Sequence, residues 1–328
     1  MILNNRIDSE SFMATSKAML ILGVLLLALT GCKVTTSDSH HYPESGGFVS
    51  GLFYDARDTG RHYPTSSWSL TRYTEACQNE PLYFETHSGR VRVYGSPAYS
   101  ETSFRAAASE LERRIDGVLA RFQLRWSEFV QDRSAAVAYP RQVIGCLSPE
   151  VPHSEFVSAS MAAVAFNPYY GQWPYEAGNI VAHELAHFVQ QNLSRYDASY
   201  SLLPYWFAEG QAVAVAGEPI AEVYQHYDYD PLWDVTPGDT ANFPYRFEHY
   251  GLAYRYLEKA NGALAMTVLL EMVQVLDWDG GFYGEISTGE SRAFVEAFNS
   301  ANLVDHRNNY LSFQRFRSDY HDLLNSSY

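Results

Sequence analysis

The sequence predicts an α+β fold, with a sheet-containing lobe over about residues 80–192 followed by a mainly helical lobe over about 193–328. Two observations carry this expectation. Short apolar runs of strand length, bounded by Gly, Pro, Ser or Asn, fall before residue 170. After Gly178 the apolar spacing turns helical, and strands first with helices later is the pattern of an α+β arrangement with a cleft between its parts. The chain has 328 residues, 46% hydrophobic and 19% charged, so it buries a sizeable core and is not a disordered polymer. A formal net charge of −15 argues against general nucleic-acid or anionic-lipid binding.

The N-terminal residues 1–31 read as an export signal and not as fold. Arg6 and Lys17 precede an apolar run from Met19 to Leu29, which is short for a bilayer span. Leu29-Thr30-Gly31-Cys32 resembles the bacterial lipoprotein signal, which implies a lipid on Cys32, cleavage before it, and residence in the cell envelope. By the same resemblance, Lys33 in place of a retaining aspartate directs the protein to the outer membrane, facing the periplasm. An uncleaved N-terminal anchor is the alternative. Residues 32–51, rich in Ser, Thr, His, Pro and Gly, then serve as a tether from the lipidated Cys32, and the His40-His41 pair in it is incidental. The domain proper spans 52–328. Cys77 and Cys146 are the two remaining thiols, and a disulfide between them is expected in an oxidising compartment.

Within the domain, Leu82–Glu85 and Arg90–Tyr94 flank Ser88-Gly89 as a hairpin. Phe104, Ala108, Leu111, Ile115, Val118 and Phe122 recur at helical spacing, with Ser103 as the expected cap. Further strands are expected around 135–139, 143–146 and 161–166. Helices are expected over about 178–192, 204–216, 249–260, 262–275, 288–300 and 310–324. His226, His306 and His321 read as surface or packing histidines, and 277–281 as an ordinary turn.

The chemistry concentrates in His183-Glu184-Leu185-Ala186-His187. Residues four apart on a helix stand one above the other, so His183 and His187 can offer both imidazoles to one zinc ion, with Glu184 beside them. A catalytic zinc site takes three protein ligands and keeps one position open. Glu209, in Tyr205-Trp206-Phe207-Ala208-Glu209-Gly210 on a following helix, is the expected third ligand, with Gly210 allowing the two helices to approach closely.

The pair of motifs, His-Glu-x-x-His at 183–187 and Trp-x-x-Glu-Gly at 206–210, resembles the glutamate-zincin metallopeptidases, the thermolysin-like and aminopeptidase-like superfamily. That resemblance implies a zincin-like fold, one Zn2+ per chain on His183, His187 and Glu209, and hydrolysis of a peptide or protein substrate with Glu184 as general base. It also implies an edge strand beside the cleft, expected at Met161–Phe166. A downstream donor to the developing oxyanion is implied too, expected at Tyr250 with His249 and Tyr254 behind it. The chain departs from the family at Val213, four residues after Glu209, where some members carry an Asp or Asn that buttresses a ligand histidine. Glu218 or a backbone carbonyl is the replacement. Two rival readings stay open: an inactive zincin-like envelope lipoprotein with a binding or structural role, and a zinc amidase acting on cell-wall crosslinks.

Overall fold

In the computed structural model the described residues are 48–61, 79–129, 142–147, 154–158, 163–166, 175–194, 203–222, 231–233, 246–277 and 291–327. Among them six strands form one mixed sheet: β1 (Gly51–Asp55), β2 (Leu82–Thr86), β3 (Val91–Gly95), β4 (Val143–Leu147), β5 (Ser154–Ser158) and β6 (Ala163–Phe166), in the order β1-β2-β3-β4-β6-β5. The fold class is mixed α and β. β1–β2–β3 is an antiparallel meander, β4 and β6 join in parallel, and β5 returns antiparallel along β6.

The β2–β3 hairpin closes as expected. Gly89 has φ +71, a left-handed conformation that glycine takes at no steric cost, and Thr86 Oγ1 accepts from Val91 N at 3.2 Å across the turn. β1 was not legible as a strand. It lies at the boundary of the expected tether, and its pairing partner Leu82–Thr86 is distant in sequence. Val49, two residues before it, already donates its amide to Ser109 Oγ at 2.9 Å, so the folded unit includes this end of the tether.

The edge strand is a correction. The sequence places it at Met161–Phe166, whereas β6 sits inside the sheet between β4 and β5, and Ser154–Ser158 is the edge. Ser-Glu-Phe-Val-Ser is short and polar at both ends, which gives a periodicity reading little to hold, and only the pairing with β6 defines it.

Ten helices are described. Helix α1 (Ala56–Thr59) and α3 (Trp126–Phe129) are single turns. Helix α2 (Glu101–Phe122) buries the whole expected stripe, from Phe104 to Phe122, against the sheet. Its cap is Ser100 and not Ser103: the Ser100 hydroxyl accepts from Ser103 N at 3.1 Å, three residues into the helix. Helices α4 (Tyr175–Ser194), α5 (Tyr205–Ala216), α6 (Arg246–Asn261), α7 (Ala263–Asp277) and α8 (Arg292–Ser300) follow the expected segments. Gly262, at φ +84, breaks the chain between α6 and α7. The single helix expected over 310–324 is two short ones, α9 (Phe313–Ser318) and α10 (Tyr320–Ser327), parted at Asp319 with φ −107.

The helical half is held by an aromatic cluster in which Trp206 meets Phe294 and Phe316 at 6.1 and 5.7 Å between ring centroids. The motif tryptophan is therefore a core residue that anchors α5. Helix α2 ties the two halves together, with Thr267 Oγ1 donating to Phe122 O at 2.8 Å and Arg121 pairing with Glu258 at 2.9 Å. Gly210 does serve a close helix approach, but to α6: a Cβ there would stand 2.2 Å from the Tyr250 carbonyl oxygen. On α5, Glu209 faces α4, and the next residue is rotated about 100° round the axis toward α6.

Among the described residues, no helix is long and apolar enough to cross a membrane. Cys32, the apolar run before it, Cys77, His40, His41 and His226 lie outside the described residues. Cys146 is disulfide-bonded, and its side chain is fully buried on β4.

Candidate metal centre

Helix α4 carries His183 and His187 on one face, with ring centroids 4.8 Å apart and planes nearly perpendicular. The apolar residues Val181, Ala182, Leu185, Ala186, Phe188 and Val189 seat this helix in the core, so its histidine face is held rather than floating. Glu209 arrives from α5, which packs along α4. Its Oε2 lies 3.2 Å from His183 Nε2 and 3.5 Å from His187 Nε2. Among the described residues, these three form a group whose ligand atoms all lie within 4.8 Å of one another.

A tetrahedral zinc with bonds of about 2.0–2.1 Å has ligand–ligand edges of about 3.3–3.4 Å. The two nitrogen-to-oxygen separations match that edge. Two imidazole nitrogens and one carboxylate oxygen are also a donor set that zinc accepts, so the residues present fit the ion the sequence implies.

Both Nδ1 atoms face away from this shared point and are held from behind. His187 Nδ1 meets Gln190 Oε1 at 2.9 Å. His183 Nδ1 lies 3.3 Å from Glu218 Oε1, an ion-pair approach rather than an aligned hydrogen bond. Helix α5 ends at Gly217 with φ +72, and Glu218 N donates back to Val213 O at 3.1 Å. This left-handed C-terminal turn carries Glu218 back toward His183. Val213, where some zincins place a carboxylate or amide, instead meets Gly251 at the crossing with α6.

Burial disfavours charge on both imidazoles, but the carboxylates overcome it. For His183, the hydrogen bond to Glu209 and the neighbouring Glu218 carboxylate raise its pKa from 6.5 to about 10; for His187, Glu209 raises it as well. Burial pushes the Glu209 carboxyl up, while the two imidazoles pull it further the other way, well below the usual carboxylate range. Glu184 is half-buried, and its charge acts on both histidines, which places it beside the pair.

A pH dependence follows for the metal-free protein. A pKa raised on folding contributes stability that is complete below the unfolded value and lost as pH rises through the folded one. The window for His183 therefore runs from 6.5 up to about 10. Thermal unfolding of chelator-treated protein is expected to show a melting temperature falling across that window, with a shallower fall in His183→Gln. Equal slopes in the two proteins would contradict the pairing.

Tyr250, expected as the oxyanion donor, packs in the core of the structure. It is completely buried, its ring edge-on to Tyr205 and Phe247 at 5.5 and 6.0 Å, so its hydroxyl offers no surface to a substrate. Tyr205 stands one turn before Glu209 on α5. Tyr254 is equally enclosed, and its hydroxyl accepts from Gln211 Nε2 at 3.1 Å. His249 is buried on the same helix. His306 bonds Tyr256 through Nδ1 at 3.1 Å and His321 packs on Tyr320, both away from the triad.

Two residues at the site escaped the sequence reading, Gln190 and Gln211. The signal was present in Gln211, an amide inside the otherwise apolar run Gln-Ala-Val-Ala-Val-Ala, and in Gln190, three residues after a ligand histidine. No known protein-family model matches this chain, and comparison with curated proteins finds no matching relative.

Proposed function

We propose that the protein is a zinc-dependent peptidase with a zincin-like fold, cleaving peptide or protein substrates from a lipid-anchored position in the bacterial cell envelope, at the outer membrane and facing the periplasm. The observation that carries the reading is the convergence of His183 Nε2, His187 Nε2 and Glu209 Oε2 on one point beside Glu184. A purely structural zinc site has no use for a carboxylate in that place. The bonded Cys146 agrees with an oxidising compartment.

His183, His187 and Glu209 would hold the ion. Zinc, when bound in such a site, acidifies water and polarises a carbonyl. Glu184 takes the proton of the attacking water and passes it to the leaving amine, the general base and then acid task. Gln190 and Glu218 keep the imidazoles turned toward Glu209. Among the described residues β5 pairs with β6 alone, and its other edge would offer main-chain groups to an extended substrate.

Digestion of a peptide library by zinc-loaded protein, beside Glu184→Gln, tests this reading: wild type is expected to cleave peptides and the variant to lose that turnover. Cleavage confined to cell-wall crosslinks would favour the amidase alternative.

A further inference from the structure

Beneath His187 lies a run of buried polar side chains that the reaction does not use directly. Gln190 is 2% exposed, Gln211 1% and Tyr254 2%, all among apolar neighbours. A buried amide left unpaired costs about 1–3 kcal/mol, so such a run persists only when its partners are in place. Gln190 Nε2 donates to Ala208 O at 2.7 Å and to Gln211 Oε1 at 3.0 Å. Gln211 Nε2 in turn donates to the Tyr254 hydroxyl oxygen at 3.1 Å.

The direction of every bond in this run is fixed by one group that can only accept. The Ala208 carbonyl has no proton, so the amide nitrogen of Gln190, and not its oxygen, must face it. The second amide proton then goes to Gln211. That leaves Gln190 Oε1 as an acceptor toward His187, 2.9 Å away, and an acceptor there requires a proton on His187 Nδ1.

We infer that Gln190 and Gln211 are positioning residues of the metal site: the head-to-tail run His187–Gln190–Gln211–Tyr254 locks the proton of His187 on Nδ1 and its Nε2 toward Glu209 and His183. The inference rests on the metal-site reading above for its purpose, and on the hydrogen bonds alone for its geometry. This chain anchors His187 from within its own helix and passes the load to α5 and α6. Tyr254 keeps its own proton at the end of the run, with Glu258 one turn further along α6 and held by Arg121.

The test uses purified protein, nitrogen-15-labelled at histidine, with zinc as the probe. Metal-free wild type is expected to show a His187 Nδ1 proton protected from solvent exchange, and Gln190→Leu is expected to lose that protection. Zinc affinity, read by chelator competition, is expected to fall about 10- to 100-fold in Gln190→Leu and to fall also in Gln211→Leu, which touches no ligand. Gln211→Glu is expected to recover most of that affinity, because a carboxylate at 211 still accepts from Gln190. A space-filling role predicts the opposite order, with leucine at 211 tolerated and glutamate not. The inference is overturned if the Nδ1 proton is as protected from exchange in Gln190→Leu as in wild type, or if both leucine variants bind zinc as tightly as wild type. Wild type that takes up no zinc overturns the metal reading itself. The Nδ1 resonance, recorded without metal, then still decides whether Gln190 fixes the imidazole.

Discussion

Glu184→Gln is expected to lower peptide hydrolysis by about 10²- to 10⁴-fold while leaving one metal ion bound per chain. Glutamine keeps the size and hydrogen-bonding reach of the side chain but cannot take a proton from water. Glu184 lies outside the three groups that converge on one point, so the metal should remain. Turnover against a peptide library, with metal content read on the same samples, checks both halves. Unchanged function in the variant would support the non-catalytic envelope lipoprotein. Loss of metal together with activity would mean that Glu184 is a ligand and not a base.

The largest stability effect is expected at Gly210, next to the third ligand. A methyl group there would meet the Tyr250 carbonyl oxygen at 2.2 Å and its carbon at 2.6 Å, and backbone cannot rotate out of the way. Helices α5 and α6 must separate to admit it, and such overpacking costs about 1–3 kcal/mol or more. For a chain of this size, Gly210→Ala is expected to lower the melting temperature by about 2–5 °C and to weaken zinc binding, since Glu209 moves with its helix. Gly117→Ala is the control. Gly117 lies exposed in α2 with nothing within 4 Å of the added methyl, so alanine there should stabilise by about 0.5–1 kcal/mol through helix propensity alone. Differential scanning calorimetry of the two variants should show shifts of opposite sign; a Gly210→Ala protein as stable as wild type would mean the crossing is looser than described.

The contrast between what the sequence reveals and what it hides has a physical basis. The candidate ligands are legible because a helix imposes fixed neighbours: His183 and His187 must share a face, whatever surrounds them. Glu209 was legible because its Trp-x-x-Glu-Gly frame is local as well. The stripe of α2 was readable for the same reason, and every residue named in it is buried. Long-range pairing is a different matter. β1 and the edge strand β5 are defined by partners elsewhere in the chain, and their own residues carry little period. Gly210 was read as a contact residue, yet which helix it approaches depends on how α4, α5 and α6 pack. The order of motifs points to Tyr250 as a donor but carries no information on its burial against Tyr205 and Phe247. The amides behind His187 belong to this second class. Gln190 is local to the histidine, but its meaning depends on the Ala208 carbonyl and on Gln211, both from α5.

The most direct test of the central claim is metal content of the purified, zinc-replete protein beside Glu209→Ala. One zinc per chain in wild type, with a sharp loss in the variant, is the predicted result. It would tie the ion to the carboxylate that faces both imidazoles at 3.2 and 3.5 Å. Wild type that holds no zinc, or a variant that holds as much as wild type, would contradict the three-ligand site.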